Sequence, residues 1–374
     1  MGLAQTLAWG STYYLPAILA NAMAAELGLA TAWVFTAFSA GLLLSAFLGP
    51  TAGRLIDVHG GRRVLPASNL VFAVGLGLLG SSTGMASLFA SWLVIGVGMS
   101  AGLYEAAFST LAGIYGRDAR RSITGITLIA GFASTVCWPL SAYMDVTIGW
   151  RATCYVWAAA HLLIGLPINL RLPASRPPEK AAAAAASASD TRGHLLQMAA
   201  LASVFAATWF CSTAMAAHLP RVLQESGSTL AAAVAAAALV GPAQVAARVL
   251  EFWLMRHVHP IVSARIATLA HPVGAAGLIA VGSPAATFFT VTHGAGNGVM
   301  TITMGTLPLA MFGAAGYGLR QGLLIAPARL FTASAPFVFD LLLARYGTGS
   351  LYVTSALGLA AFAVLMALPK RSHT

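Results

Sequence analysis

Apolar residues in this chain come in long runs, and polar residues are confined to the joints between them. A helix that crosses a hydrocarbon layer of roughly 30 Å needs about 20 such residues. Runs of that kind cover about 2 to 25, 30 to 50, 64 to 82, 86 to 113, 122 to 144, 152 to 170, 195 to 219, 229 to 250, 260 to 282, 285 to 312, 320 to 343 and 350 to 368. They predict twelve membrane-spanning helices, the first beginning almost at Met1 and read as a membrane helix instead of a removable signal. Some joints are very tight, notably Ser82 to Ala86 and Ser283-Pro284. Only one connection is long. Arg171 to His194 holds prolines at 173, 177 and 178, an alanine run from 181 to 186 and most of the local charge, so it reads as a solvated linker. The predicted organisation is a six-helix bundle over 1–170, a linker over 171–194 and a second six-helix bundle over 195–374.

The most concentrated polar stretch is the joint from Gly53 to Arg63, Gly-Arg-Leu-Ile-Asp-Val-His-Gly-Gly-Arg-Arg. Its Gly60-Gly61 pair permits a reversal in a few residues, because neither glycine resists positive φ. A weaker copy lies 194 residues on: Arg248-Val249-Leu250-Glu251 answers Arg54-Leu55-Ile56-Asp57, Arg256 answers Arg62, and Val258 answers Val64. Gly96-Val97-Gly98 in the fourth run is likewise matched by Gly294-Ala295-Gly296 in the tenth. The halves therefore repeat one another, and parallel repeats packed face to face predict a site near the bilayer midplane that opens to either side in turn.

Composition narrows the class. With 58% hydrophobic residues, 8% charged residues and a mean hydropathy of +0.81, the chain has too little polar surface for a soluble domain of 374 residues. A net charge of +10 raises nucleic acid as a partner, but the basic residues stand singly or in pairs between apolar runs and form no basic face with interleaved aromatics. They report sidedness instead. If both termini are cytoplasmic, 17 of the 20 lysines and arginines fall in cytoplasmic joints or the tail, leaving Arg151, Arg221 and Arg345 outside. Cys137, Cys154 and Cys211 all lie within apolar runs without metal-ligand or redox spacing and read as packing residues. No cofactor is predicted.

The segment Gly53 to Arg63 resembles the loop signature that the major facilitator superfamily carries between its second and third helices. The copy at Arg248 and Glu251 sits where that family has its eighth-to-ninth loop, and Gly149-Trp150-Arg151 is similar to the motif that opens its sixth helix. The resemblance covers nearly the whole chain. It implies an all-α polytopic fold of twelve transmembrane helices in two pseudo-symmetric bundles, with Gly53, Asp57, Gly61, Arg62 and Arg63 as gating residues. It also implies that Asp57 clamps the second helix to the eleventh and stabilises an outward-facing state. The family's frequent fourth-helix arginine is absent here, Trp92 and Val94 occupying its neighbourhood. Gly125, Gly131 and Trp138-Pro139 echo only loosely the fifth-helix pattern of its antiporters.

Polar groups within a bilayer are costly, so each needs a partner or a task. Glu105, the acid deep within a predicted run, shares helical spacing with Gly98, Gly102 and Ser109. It reads either as a proton or substrate-cation site or as a carboxyl bonded within the helix packing. His293, Asn297 and Thr301 are spaced by four and predict a polar stripe on the tenth helix, lining a cavity or holding helices together. Gln5, Trp9, Thr12, Tyr13 and Pro16 make a polar and aromatic face on the first helix, echoed by Trp209, Ser212 and Thr213 on the seventh, with Tyr13 the best single candidate for solute contact. Arg329 would bind an organic anion, snorkel to the cytoplasmic face or pair with Asp57.

These readings converge on a monomeric transporter in the inner, or plasma, membrane, a permease exchanging small solutes with protons as the coupling ion and favouring efflux of an amphipathic compound or metabolite. Uptake or facilitated flow of an organic anion is the alternative. No phosphate-cradling G-x-x-x-x-G-K-[ST] occurs, so the expected energy source is a gradient, or the flow is facilitated. Gly98-Met99-Ser100-Ala101-Gly102 formally fits a serine nucleophile motif with His293 as base. That motif requires a strand-to-helix turn, whereas these residues lie in the middle of a run that must stay helical. An enzyme is therefore not predicted.

Overall fold

The structure is a computed structural model that describes residues 1–174, 191–255 and 257–369. Most of the linker, with Pro177, Pro178 and the alanine run, lies outside the described residues, as do Arg256, Lys370 and Arg371. The described residues are almost entirely helical, with no strand among them.

Two compact units emerge. The first comprises Met1–Glu179 with Ala314–Ala326. Its helices are α1 (Gly2–Ala8), α2 (Pro16–Leu27), α3 (Thr31–His59), α4 (Gly61–Gly80), α5 (Met85–Gly102), α6 (Tyr104–Tyr115), α7 (Ala119–Ala130), α8 (Ala133–Ala160) and α9 (Leu166–Leu170). Widened π-helical turns at Trp9–Tyr13 and His161–Gly165 interrupt the first and sixth predicted runs. The second unit comprises Lys180–Gly313 with Pro327–Thr374. It holds α10 (Thr191–Glu225), α11 (Leu230–Ala237), α12 (Val240–Leu254), α13 (Pro260–Val281) and α14 (Ala286–Phe312). The long helix α15 (Tyr317–Tyr346) changes unit at Pro327, and α16 (Ser350–Ala367) completes the second unit.

Helix occupies every one of the twelve predicted runs. Among the described residues, eight continuous stretches are long and apolar enough to cross a membrane. Two of these, Ala119–Leu170 and Tyr317–Ala367, contain 52 and 51 residues, which is enough for two crossings each at about 20 residues per crossing. Glycines in the left-handed region divide them: Gly149 at φ 81° and Gly347 at φ 54°. Helix α14 is long enough but is not among the eight, its middle being diluted by Thr292, His293, Asn297 and Thr301.

The fourth run departs from the single helix expected over 86 to 113. Leu103 is extended (φ −88°, ψ −166°), so α5 ends at Gly102 and α6 begins at Tyr104. The common face drawn through Gly98, Gly102, Glu105 and Ser109 is thus interrupted. Gly102 fits tightly against α4, where a Cβ would come within 2.6 Å of the Ser68 hydroxyl, and the chain bends just past this close approach.

The sequence repeat is matched by a packing repeat. On α5, a Cβ at Gly96 would overlap the Gly41 carbonyl of α3, and one at Gly98 would stand 2.7 Å from the Phe72 ring of α4. On α14, a Cβ at Gly294 would stand 2.8 Å from the Val240 carbonyl of α12, and one at Gly296 would stand 2.8 Å from the Ala267 carbonyl of α13. In each unit the glycine pair lets one helix settle onto two neighbours, the usual basis of helix association where lipid supplies no hydrophobic drive. The cores behind these contacts are apolar, with Leu19, Phe72, Leu76 and Trp92 in the first unit and Met215, Phe289, Phe339 and Leu343 in the second. Outward faces carry large exposed hydrophobics such as Phe47, Val146, Leu163 and Phe337, as a lipid-facing surface requires.

Candidate functional site

The second unit contains a small, half-open cavity of about 30 Å³ lined by α10, α13, α14 and α16. Thr208, Cys211 and Ser212 line it from α10, Thr268 and His271 from α13, His293, Asn297 and Met300 from α14, and Gly358 from α16. No charged residue appears in the lining. The close approach of α14 to α13 at Gly296 brings the two histidines together.

His271 Nδ1 lies 3.0 Å from His293 Nδ1, and His271 Nε2 lies 2.8 Å from Thr354 Oγ1 on α16. Both rings are buried, and Phe289 packs against them with centroids 5.5 and 6.1 Å away. A nitrogen-to-nitrogen contact of this length accommodates one hydrogen, so the pair carries at most one positive charge. Two neutral arrangements satisfy it. In one, the Thr354 hydroxyl donates to Leu351 O (3.2 Å) and accepts from His271 Nε2–H, and His293 Nδ1–H donates to His271, leaving His293 Nε2 as an acceptor. In the other, Thr354 donates to His271, His271 donates to His293, and His293 Nε2 carries a hydrogen. A turn of one hydroxyl and a shift of two protons thus convert His293 Nε2 from acceptor to donor.

Asn297 follows His293 by one helical turn and lines the same cavity. Thr301, the next step of the predicted stripe, donates to Asn297 O at 2.9 Å and accepts from Arg248 Nη2 at 3.4 Å. Buried Arg248 also donates to Gly298 O at 3.3 Å, and buried Glu251 accepts from Ser263 at 3.3 Å. The second copy of the charged turn therefore reaches into the helix packing around the glycine-rich part of α14.

In the first copy, Asp57 accepts from the backbone N–H groups of Gly318 and Leu319, at 2.8 Å each, tying the end of α3 to the start of α15. Those N–H groups belong to the first turn of a helix, where no intrahelical partner exists. The fit needs glycine: a Cβ at Gly53 would overlap the Gly318 carbonyl, and one at Gly61 would overlap Thr110. Arg62 and Arg63 are exposed at the start of α4. Arg329 is half-buried on α15, beyond Pro327 and within the second unit.

Glu105 is half-buried in the first turn of α6, and its carbonyl accepts from Ser109. Tyr13 is half-buried at the end of the first π turn, within an aromatic group that includes Trp9, Tyr14 and Phe38 at centroid distances of 5.0, 5.6 and 5.7 Å. Of the predicted site residues, the cavity gathers His293 and Asn297, while Tyr13 and Glu105 belong to the other unit. Sequence reasoning missed His271. Its signal was present, an ionisable residue within an apolar run, but no periodicity links it to a partner 22 residues away. Ser100 is helical and bonds to Val97 O at 2.7 Å, outside any strand-to-helix turn. No group of three metal-ligating side chains occurs among the described residues.

Two helical units built on the same glycine packing, with apolar spans and polar groups gathered inside a bundle, define a multi-pass membrane protein of the transporter type. The family model of the Major Facilitator Superfamily matches residues 1–323, and the chain belongs to that family. Solved structures with the same fold include the human organic anion transporter MFSD10 (TETRAN), 17% identical, covering 97% of this chain and 96% of that one with a TM-score of 0.70. The proton:xylose symporter XylE bound to 6-bromo-6-deoxy-D-glucose is 15% identical, over 98% and 94% of the two chains, with a TM-score of 0.72. FucP in the outward conformation is 14% identical, over 97% and 96%, with a TM-score of 0.77.

Proposed function

We propose that the chain is a proton-coupled transporter that exports a small organic solute, an amphipathic compound or metabolite, across the inner membrane by alternating access. The observation that carries this reading is the 3.0 Å contact between His271 Nδ1 and His293 Nδ1 on the wall of a cavity lined by no acidic or basic residue other than these histidines. In it, the histidine pair takes up and releases the coupling proton. Asn297, Ser212 and Thr208 offer hydrogen bonds to the solute, and Met300 and the small residues offer apolar contact. Tyr13 is proposed as a solute contact and Glu105 as a second acid in the first unit. Asp57, with Gly53, Gly61, Arg62, Arg63, Arg248 and Glu251, sets the gating equilibrium. The protein acts as a monomer with both termini cytoplasmic, in keeping with the distribution of its cations.

A thermal-shift screen of solute libraries at two pH values identifies ligands, since a ligand stabilises the state that binds it. Purified protein is then placed in liposomes containing a pH-sensitive dye. The expected result is solute-driven proton flux that His271→Gln and His293→Gln each reduce by at least about tenfold, while thermal stabilisation by the solute persists. Unchanged flux in both variants would overturn the coupling role. Arg329, a cation within a predicted span, favours the second reading, uptake or facilitated flow of an organic anion. That reading predicts anion stabilisation lost in Arg329→Gln and no proton flux.

A further inference from the structure

A second buried imidazole lies in the first unit, and the transport reading does not use it. His161 is fully buried at the start of the π-helical turn His161–Gly165. Its Nδ1 is 3.1 Å from Asn69 Oδ1 on α4, and its Nε2 is 2.8 Å from Ser11 Oγ in the other π-helical turn, Trp9–Tyr13. Phe72 covers the ring with centroids 4.8 Å apart. Three membrane runs, the first, third and sixth, thus each contribute one polar group to a junction in an apolar core. Both widened turns meet here, and such turns recur at functional sites.

Counting hydrogens fixes the role of each atom. Asn69 Nδ2 donates to Leu65 O at 2.8 Å, so its carbonyl oxygen is the atom facing the ring, and it can only accept. His161 Nδ1 therefore carries a hydrogen. Ser11 has one hydroxyl hydrogen but two acceptors in range, Leu7 O at 2.7 Å and His161 Nε2 at 2.8 Å. With a neutral ring, one of those two contacts sets lone pair against lone pair. With a proton on Nε2, every contact has one donor and one acceptor: Nδ1–H to Asn69, Nε2–H to Ser11, and Ser11 O–H to Leu7 O.

We propose that Ser11, Asn69 and His161 form a proton-binding site in the first unit, separate from the His271–His293 pair, whose occupied state ties the first, third and sixth membrane runs together. Around the ring stand α1 with its π-helical turn, α4, α8 and α9. Ser11 faces the ring from the first of these and Asn69 and Phe72 from α4, while Gly165 of its own turn lies against Asn69. The charged side chains on these elements are Arg62 and Arg63, exposed at the start of α4, and Asp145 and Arg151 of α8, the latter paired with Glu26; the polar contacts at the ring are those with Ser11 and Asn69. Neutral oxygens alone would hold the charge. Loss of the proton leaves Ser11 with one contact too many, in the turn that carries Tyr13, so occupancy and the conformation of that turn are linked.

The test uses the full chain in lipid nanodiscs, labelled with ¹⁵N-histidine and followed by NMR between about pH 4 and about pH 9. His161→Asn assigns the resonance; if that variant does not fold, the signal that moves in Ser11→Ala assigns it instead. At the acid end both ring nitrogens of His161 are expected to carry hydrogens, and at the alkaline end only Nδ1. Ser11→Ala is expected to lower the midpoint, because it removes the oxygen that accepts from Nε2–H. A ring that stays neutral throughout, a neutral form protonated at Nε2, or a Ser11→Ala midpoint that rises or does not move would each overturn the proposal. A raised midpoint would mean that Ser11 donates to a bare nitrogen. This readout needs no solute and no flux, so it stands or falls separately from the role given to His271 and His293.

Discussion

Both carboxylate oxygens of Asp57 go to backbone N–H groups at the start of α15. Charge-assisted bonds of this kind at a helix start are stronger than neutral ones, and removing one strands a half-buried donor. Asp57→Asn keeps one acceptor but turns an NH₂ group toward the second N–H. It is expected to lower thermal stability in detergent by about 1–3 kcal/mol. An unchanged melting temperature would show that this contact contributes nothing to the resting fold. At the same scale, the sequence marked Asp57, His293 and Asn297 by motif and spacing, and each has an identifiable setting. Asp57 meets the backbone of Gly318 and Leu319, however, and no side-chain pattern can announce a backbone partner 261 positions away. His271 escaped notice for a related reason: its pairing depends on how closely two helices approach.

Among the elements, helix covers the apolar runs but overruns some of them into the polar joints: α3 continues nine residues past the run ending near 50, and only Gly60, at φ 78°, separates it from α4. The fourth run also departed from expectation, because an apolar sequence looks the same whether its helix is continuous or bent at Leu103. The glycine contacts give a sharper expectation. At Gly296 a larger side chain must displace the Ala267 carbonyl of α13, which is backbone and cannot swing aside. Gly296→Leu should therefore destabilise the protein by about 1–3 kcal/mol and push α14 off α13. It should also separate the histidine pair, seen as a changed imidazole tautomer signal. A variant that folds with an unaltered His271–His293 signal would detach the pair from this packing.

For the whole molecule, the distribution of cations predicts topology. In a background with Cys137, Cys154 and Cys211 replaced by alanine, single cysteines at positions 62 and 121 should react with a membrane-impermeant thiol reagent only from the cytoplasmic side. One at position 345 should react only from outside. Labelling of 62 and 345 from the same side would refute the orientation. The sequence by itself determined the class and the all-helical membrane fold, because hydropathy and charge act on each segment without reference to its neighbours. Only the tertiary structure decided which buried groups meet: two histidines across α13 and α14, a third between Ser11 and Asn69, and an aspartate on a helix start. Hydrogen bonds are settled by positions within tenths of an ångström, and those positions come from the close approach of helices packed on small residues.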